Sequence, residues 1–297
     1  SERIKYFDEA VRRITKQINL FSLARLAVLI SIIWLLVLGI KNSAFLFYLL
    51  SALMFVLFLS LVSIFNRFKG ERELFRQLLR LNEEELACLE HDFHNLPDGS
   101  EHADISHPWS HDLDLFGKGS LFQYFNRTST LTGGQILAEF LTREPGSAEC
   151  IINRQKLIED LKERIDFRQN FTASGALVKE KPEDLKDIIR WLDTGAYISK
   201  YPWLFYLALG VSLLSLIIII AVIFDSSRFM LLLFPFVLNM MIISPFLLRT
   251  QRYQEAISRK HDLLEGYAGL LKLIASDSFT HPELQSKSKK AGEGMIK

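Results

Sequence analysis

Five of the chain's seven histidines crowd into one stretch: His91, His94, His102, His107 and His111. Asp92, Asp104, Asp112 and Asp114 are interleaved with them. Imidazole and carboxylate are the groups that hold zinc and activate a bound water, so the composition raises a metal site or a hydrolase. The spacing fits no standard ligand set, and Pro97-Asp98-Gly99-Ser100 and Pro108 mark the stretch as loop. On the residues alone it is a polar connector, with no catalytic, cofactor or metal residue assigned to it. A membrane hydrolase using the loop 91–111 is kept as an alternative. Just beyond it, Gly117-Lys118-Gly119-Ser120 has the residue types of a phosphate loop. It lacks the leading glycine and the G-K-[ST] order that aim backbone amides and a lysine at a phosphate.

The elements that must position these groups are dominated by apolar blocks. Hydrophobic residues make up 49% of the 297, and the mean hydropathy is +0.17 although 23% are charged. The apolar residues gather in residues 20–40, interrupted only by Arg25, and in 44–65, 201–224 and 229–248. Each block is near the ~20 residues a helix needs to cross ~30 Å of hydrocarbon. Short connections, Lys41-Asn42-Ser43 and Asp225-Ser226-Ser227-Arg228, predict two transmembrane helical hairpins. Nothing like a small-residue cleavage site follows the first block, so it reads as a retained anchor. Asn239, between Pro235 and Pro245 in the fourth block, reads as a helix–helix hydrogen bond rather than a transport path.

Basic residues set the orientation. Arg3, Lys5, Arg12, Arg13, Lys16 and Arg25 lie before or early in the first block, and Arg67, Lys69, Arg72, Arg76 and Arg80 follow the second. Arg249, Arg252, Arg259 and Lys260 follow the fourth, whereas the two connections carry only Lys41 and Arg228. Both termini and the 66–200 segment are therefore expected in the cytoplasm, where Cys88 and Cys150 stay reduced.

The expected fold class is all-α, two transmembrane hairpins flanking a cytoplasmic helical domain. Residues 1–19 carry Ile4, Phe7, Val11, Ile14 and Ile18 at helical spacing. They form either an amphipathic helix on an anionic membrane surface or an extension of the first span. In the 66–200 domain, 67–90 is predicted helical, and Ser120 caps a short helix through Phe125. A helix follows over 132–141, stopped by Glu144-Pro145-Gly146, and Ser147 caps the next, whose stripe is Ile151, Leu157, Ile158, Leu161 and Ile165. Pro182 opens another with Leu185, Ile188, Ile189 and Leu192 on its face and Gly195 at its end. After the second hairpin (201–248), residues 249–285 are expected as one cytoplasmic helix. The small and charged tail 286–297 is expected to be disordered.

Several of these residues also form an ordered pattern. Asp112, Asp114, Phe116 and Gly117 lead into Ser120, Leu121 and Phe122, then Asn126-Arg127-Thr128. Thr130 and Gly133 come next, then a helix running toward Pro145, then Arg154-Gln155 with Ile158 and Leu161. This order resembles the start of the core domain of MutS-type mismatch-repair ATPases, over about a fifth of the chain. With apolar hairpins on both sides it is most similar to membrane-embedded MutS-like proteins of bacteria, which implies a multi-pass protein of the bacterial inner membrane.

For an intact protein the resemblance implies binding and hydrolysis of ATP with Mg, a homodimer formed through the ATPase half, and mismatched-DNA binding. The ATPase is expected downstream of residue 297, this chain being the N-terminal anchoring half. No cofactor is expected within it, and its one expected partner is membrane lipid. These pattern residues are read as an architectural junction, with Arg154 reaching carbonyls or a carboxylate. Phe7-Asp8-Glu9 spells a mismatch reader but stands just before an apolar block with no domain around it. Residues 66–200 hold 18 Lys and Arg against 24 Asp and Glu, a net charge of −6 that disfavours a general DNA face. A non-enzymatic membrane scaffold is the other alternative.

Overall fold

The computed structural model describes residues 2–42, 44–144, 146–178, 180–181, 209–218, 237 and 260–294. It is all-helical, and no strand occurs among the described residues. The helices are α1 (Glu2–Asn42), α2 (Phe45–Leu89), α3 (Leu121–Phe125), α4 (Leu131–Thr142), α5 (Ala148–Lys162) and α6 (Ile165–Leu177). Beyond them come α7 (Leu209–Ile218), α8 (260–276) and α9 (Pro282–Gly294). Residues 1–179 with 266–297 form one compact unit and 180–265 a second.

α1 and α2 form an antiparallel hairpin that sets the scale of the first unit. Phe21 stacks on Phe68 at 5.4 Å between centroids, Phe7 lies 6.1 Å from Phe75, and Gly39 admits the Tyr48 ring at the far end. At 1.5 Å per residue, the 41 residues of α1 run about 60 Å, twice the hydrocarbon thickness of a bilayer. The most apolar 18-residue windows of α1 and α2 are only 11% and 6% buried. A soluble protein's core helix of that composition would bury it. Here Leu23, Ile33, Trp34, Ile40, Phe45, Leu53 and Val56 face outward. Two helices are thus long and apolar enough to cross a membrane.

The other half of each helix is a stem. Phe7, Ile14 and Ile18 of α1 and Leu78 of α2 are buried. Phe7 and Leu78 close on Ala173 of α6, with Leu74, Phe75 and Leu79 around them. Asn82 of α2 and Gln169 of α6 exchange amide hydrogen bonds of 3.3 and 3.0 Å. Arg3 pairs with Asp166 at 2.7 Å.

Several expectations are corrected. Of the two readings of 1–19, the extension of the first span is the one seen: α1 is unbroken through residue 20, and Phe7, Ile14 and Ile18 are buried rather than laid on a membrane surface. The 249–285 helix is interrupted, because 277–281 form a corner between α8 and α9. The tail is not disordered up to Gly294, for it belongs to α9. Pro282 supplies a first turn that needs no N–H there, His281 Nδ1 accepts from the Glu283 amide, and Ala291 is buried. A composition window starting at 286 cut this helix in two. The α5 stripe stays largely open, with Ile151, Ile152 and Ile158 exposed and no α5 residue buried. The Pro182–Gly195 helix, Asn239 and all but a fragment of the second hairpin lie outside the described residues.

Candidate functional site

The histidine-rich stretch is a wrap that closes on α3. α2 ends with His91 in the left-handed region (φ 63), where its N–H donates to the Cys88 carbonyl and that of Asp92 to the Ala87 carbonyl. This is the hydrogen-bond pattern that usually carries glycine after a helix, so His91 serves as a terminator. His102 lies between Phe116 and Phe122, with centroids 5.9 and 5.6 Å away. His107 uses both ring nitrogens. Nδ1 accepts from the Ser110 amide at 3.2 Å, so Nε2 carries the proton and donates to the Thr142 carbonyl at 2.9 Å. His111 and Asp112 are exposed.

The aspartates are spent on the loop as well. Asp104 accepts from the hydroxyl and amide of Ser106 at 2.6 and 2.8 Å, and these bonds hold its carboxyl below the usual range. Asp98 accepts from the Ser100 amide at 3.1 Å, which lowers its pKa likewise. Among the described residues, three metal-ligand side chains converge only at His261, Asp262 and Glu265, all exposed and in the second unit. The loop's own histidines and aspartates do not converge, so the wrap offers no activated water and no ligand cage.

The centre of the wrap is Phe122 and Gln123, 1% and 2% exposed. Gln123 satisfies its whole amide: Nε2 donates to the His94 and Leu96 carbonyls at 3.1 and 2.7 Å, and Oε1 accepts from the Gly119 amide at 2.8 Å. Gly99 has φ +68, and a Cβ there would stand 2.6 Å from the Phe122 ring, so only glycine lets the loop close on it. Ser120 caps α3 by accepting from the Gln123 amide, as expected.

Gly117-Lys118-Gly119-Ser120 is a turn rather than a phosphate cradle. Its amides are used internally: Gly117 to the Asp98 carbonyl, Gly119 to Gln123, Ser120 to the Gly117 carbonyl. This turn therefore does not fit a nucleotide phosphate and its Mg ion.

The junction after α3 brings Asn126, Arg127, Thr128, Thr130 and Gly133 together. Asn126 is buried, and its Oδ1 accepts from the amide and hydroxyl of Thr128 at 3.0 and 2.7 Å. Thr130 caps α4 by accepting from the Gly133 amide, and Gly133 packs on Thr128 and Thr130. Arg127 reaches back to α2, gripping Glu85 at 2.6 and 3.4 Å while donating to the Tyr124 and Asn126 carbonyls. Burial opposes the Arg127 charge, but the hydrogen bond and attraction of Glu85 outweigh it and raise its pKa. Leu121 is exposed, and Asp114 (φ 46) turns the chain while its carbonyl accepts from the Leu121 amide. Arg154 departs from expectation: it stacks on Phe140 at 4.2 Å, beside Arg143 at 4.3 Å on the same ring. Gln155 is exposed, and Pro145 lies outside the described residues.

Two polar features escaped the sequence reading. One is the Asn82–Gln169 pair, signalled only by an asparagine among the leucines of α2. The other is the clasp at the end of α5. Asp160 accepts from the Thr280 and His281 amides at 2.8 Å each and pairs with Arg164 at 3.0 Å. Arg164 also holds Asp277 and sits over the Phe279 ring. Between the junction and this clasp lies a cavity of about 630 Å³, walled by Leu81, Ile165, Phe171 and Phe279 and rimmed by Glu85 and Arg127.

Comparison with protein-family models, with curated proteins and with solved structures found no match to this chain. Of the motif residues, Asn126, Arg127, Thr128, Thr130 and Gly133 make a joint between helices.

Proposed function

We propose that the chain is a membrane anchor bearing a rigid helical joint, and that it is the anchoring and core-domain portion of a MutS-like protein of the bacterial inner membrane. The observation that carries the reading is the continuity of α2. One helix leaves the apolar span, extends the stem, and at Glu85 grips Arg127 in the middle of the Asn126-Arg127-Thr128 junction. Arg127 and the Asn126 Oδ1 of that junction are turned to backbone groups, to Thr128 and to α2, which suits a part that positions something else.

In this reading the chain is multi-pass, with both termini and the 66–200 segment in the cytoplasm. ATP with Mg, a homodimer and mismatched DNA belong to an intact protein through the MutS likeness. None has a built site among the residues described, and the net charge of −6 over 66–200 argues against a general DNA face. The test is the reading frame that continues this chain. A G-x-x-x-x-G-K-[ST] motif downstream, and ATP turnover by the intact protein, are expected. A frame lacking that motif removes the MutS-like reading and leaves a non-enzymatic membrane scaffold, which the absence of converging reactive groups around the described joint also favours. A hydrolase centred on the loop 91–111 has less behind it, since both nitrogens of His107 are taken by backbone groups.

A further inference from the structure

We propose that the cytoplasmic end of the α1–α2 hairpin binds the phosphate of an anionic phospholipid headgroup, with Arg25 as the anchor. The inference rests on the membrane-anchor reading and adds a ligand class and a residue to it.

Arg25 is the sole charge in residues 20–40. It is turned into the hairpin, its guanidinium 4.7 Å from the Phe65 ring and 5.7 Å from that of Phe58. Aromatic faces suit a planar, weakly hydrated cation, and they fix its place. They do not accept its in-plane N–H groups. Arg25 Nε is buried with no hydrogen-bond partner, and so is Nε of Arg72, seven residues along α2 from Phe65. Neither helix supplies a counter-ion near Arg25, because no Asp or Glu occurs between Glu9 and Glu71. That acid-free stretch carries Arg12, Arg13, Lys16, Arg25, Arg67 and Lys69 toward one end of the hairpin and only Lys41 at the other.

The cations that follow Phe65 on α2 span the thickness of a headgroup layer. From Phe65 to Arg72 is about 10 Å along the helix, and a leaflet's polar layer is roughly 5–8 Å thick. Arg25 lies within the apolar block of α1 but packs beside Phe65, two residues before Arg67 of α2, so its long side chain stands within reach of the level where α2 passes from apolar surface to cations. Arg25 is half-buried, and its terminal Nη groups, unlike the enclosed Nε, are left to donate to a phosphate. An anionic leaflet would supply it at high local concentration.

The test uses the whole 297-residue chain in nanodiscs of phosphatidylcholine with or without phosphatidylglycerol, followed by native mass spectrometry of the retained lipid. Phosphatidylglycerol should be retained preferentially. The preference should fall about fivefold in Arg25→Gln and be partly restored in Arg25→Lys. Should Arg25→Gln fail to insert, Phe65→Leu serves instead: it keeps apolar bulk, removes the ring beneath the guanidinium, and should also lower the preference. Equal retention of the two lipids by the unaltered chain, or an undiminished preference in the variants, overturns the proposal. Displacement of the lipid by inorganic phosphate would assign the site to free phosphate and overturn the lipid source. A chain extracted from membranes by alkaline carbonate fails the anchor reading itself. One that stays in the membrane without lipid preference fails only this inference.

Discussion

The outer half of the hairpin and the joint beneath it are built on opposite principles. In residues 26–65 the large side chains point outward and almost nothing is buried, so each helix presents leucine, isoleucine and phenylalanine to its surroundings. In residues 90–142 an interior is assembled from few pieces, with Phe122 and Gln123 innermost. The first region borrows its burial from outside, and any sufficiently long apolar sequence would do. The second must exclude water with its own atoms, and it can bury an amide only because all three of that amide's hydrogen bonds are made. α2 belongs to both: one end offers Phe45 and Leu53 outward, and the other supplies Leu78, Asn82 and Glu85 to protein partners.

The largest effect that would test this contrast is at Phe122. Its replacement by alanine empties the centre of the wrap, for a cost of about 3–5 kcal/mol. Limited proteolysis in detergent should show cleavage in 90–119 rising steeply while the hairpin stays protected. Unchanged cleavage would mean the joint has no interior of its own. Next comes Leu53→Arg, at a position 64% exposed. On a water-facing surface such a change stays within about 0.5 kcal/mol. In mid-span it costs about 2.5–3.5 kcal/mol and should sharply reduce the membrane-integrated fraction. Normal integration of Leu53→Arg would show that the outward apolar band faces something other than lipid.

The same contrast explains how much the sequence disclosed. The first hairpin was legible because outward burial leaves a simple signature, length without charge. The helix starts at Ser120 and Ser147 were legible because a cap is a local event: a hydroxyl accepts the amide three residues on, whereas the start at Thr130 was placed two residues late. Gln123 was not legible, since its partners at His94 and Leu96 lie far along the chain and are backbone carbonyls, which every residue has. Glu85 was missed as the partner of Arg127 for the same reason of sequence distance, and Arg154 was assigned carbonyls or a carboxylate where an aromatic face was closer to hand. The histidine cluster was read as a polar connector, but what each histidine does in it was not legible. Its members share a loop but do different things there: one ends a helix, one packs between rings, and one ties two backbone segments together.

The clasp at the end of α5 gives the smallest test, and it asks whether the joint's polar construction extends to the α8–α9 corner. Two backbone amides, chiefly that of His281, together with Arg164 stabilise the ionised Asp160 and lower its pKa. A carboxylate with a depressed folded-state pKa contributes stability in full above its unfolded value, about 3.9. That contribution is lost as pH falls from there through the lower folded value. Protonation would withdraw the charge that holds the Thr280 and His281 amides and the Arg164 guanidinium, and α9 would loosen from α5. A spin label at the exposed Lys289 should therefore gain mobility only in strong acid, with no change between neutrality and pH 5. Asp160→Asn should make the label mobile at neutral pH and remove the acid step. An acid step that survives Asp160→Asn would assign the corner to another carboxylate, with Asp277, also bound to Arg164, the first to replace.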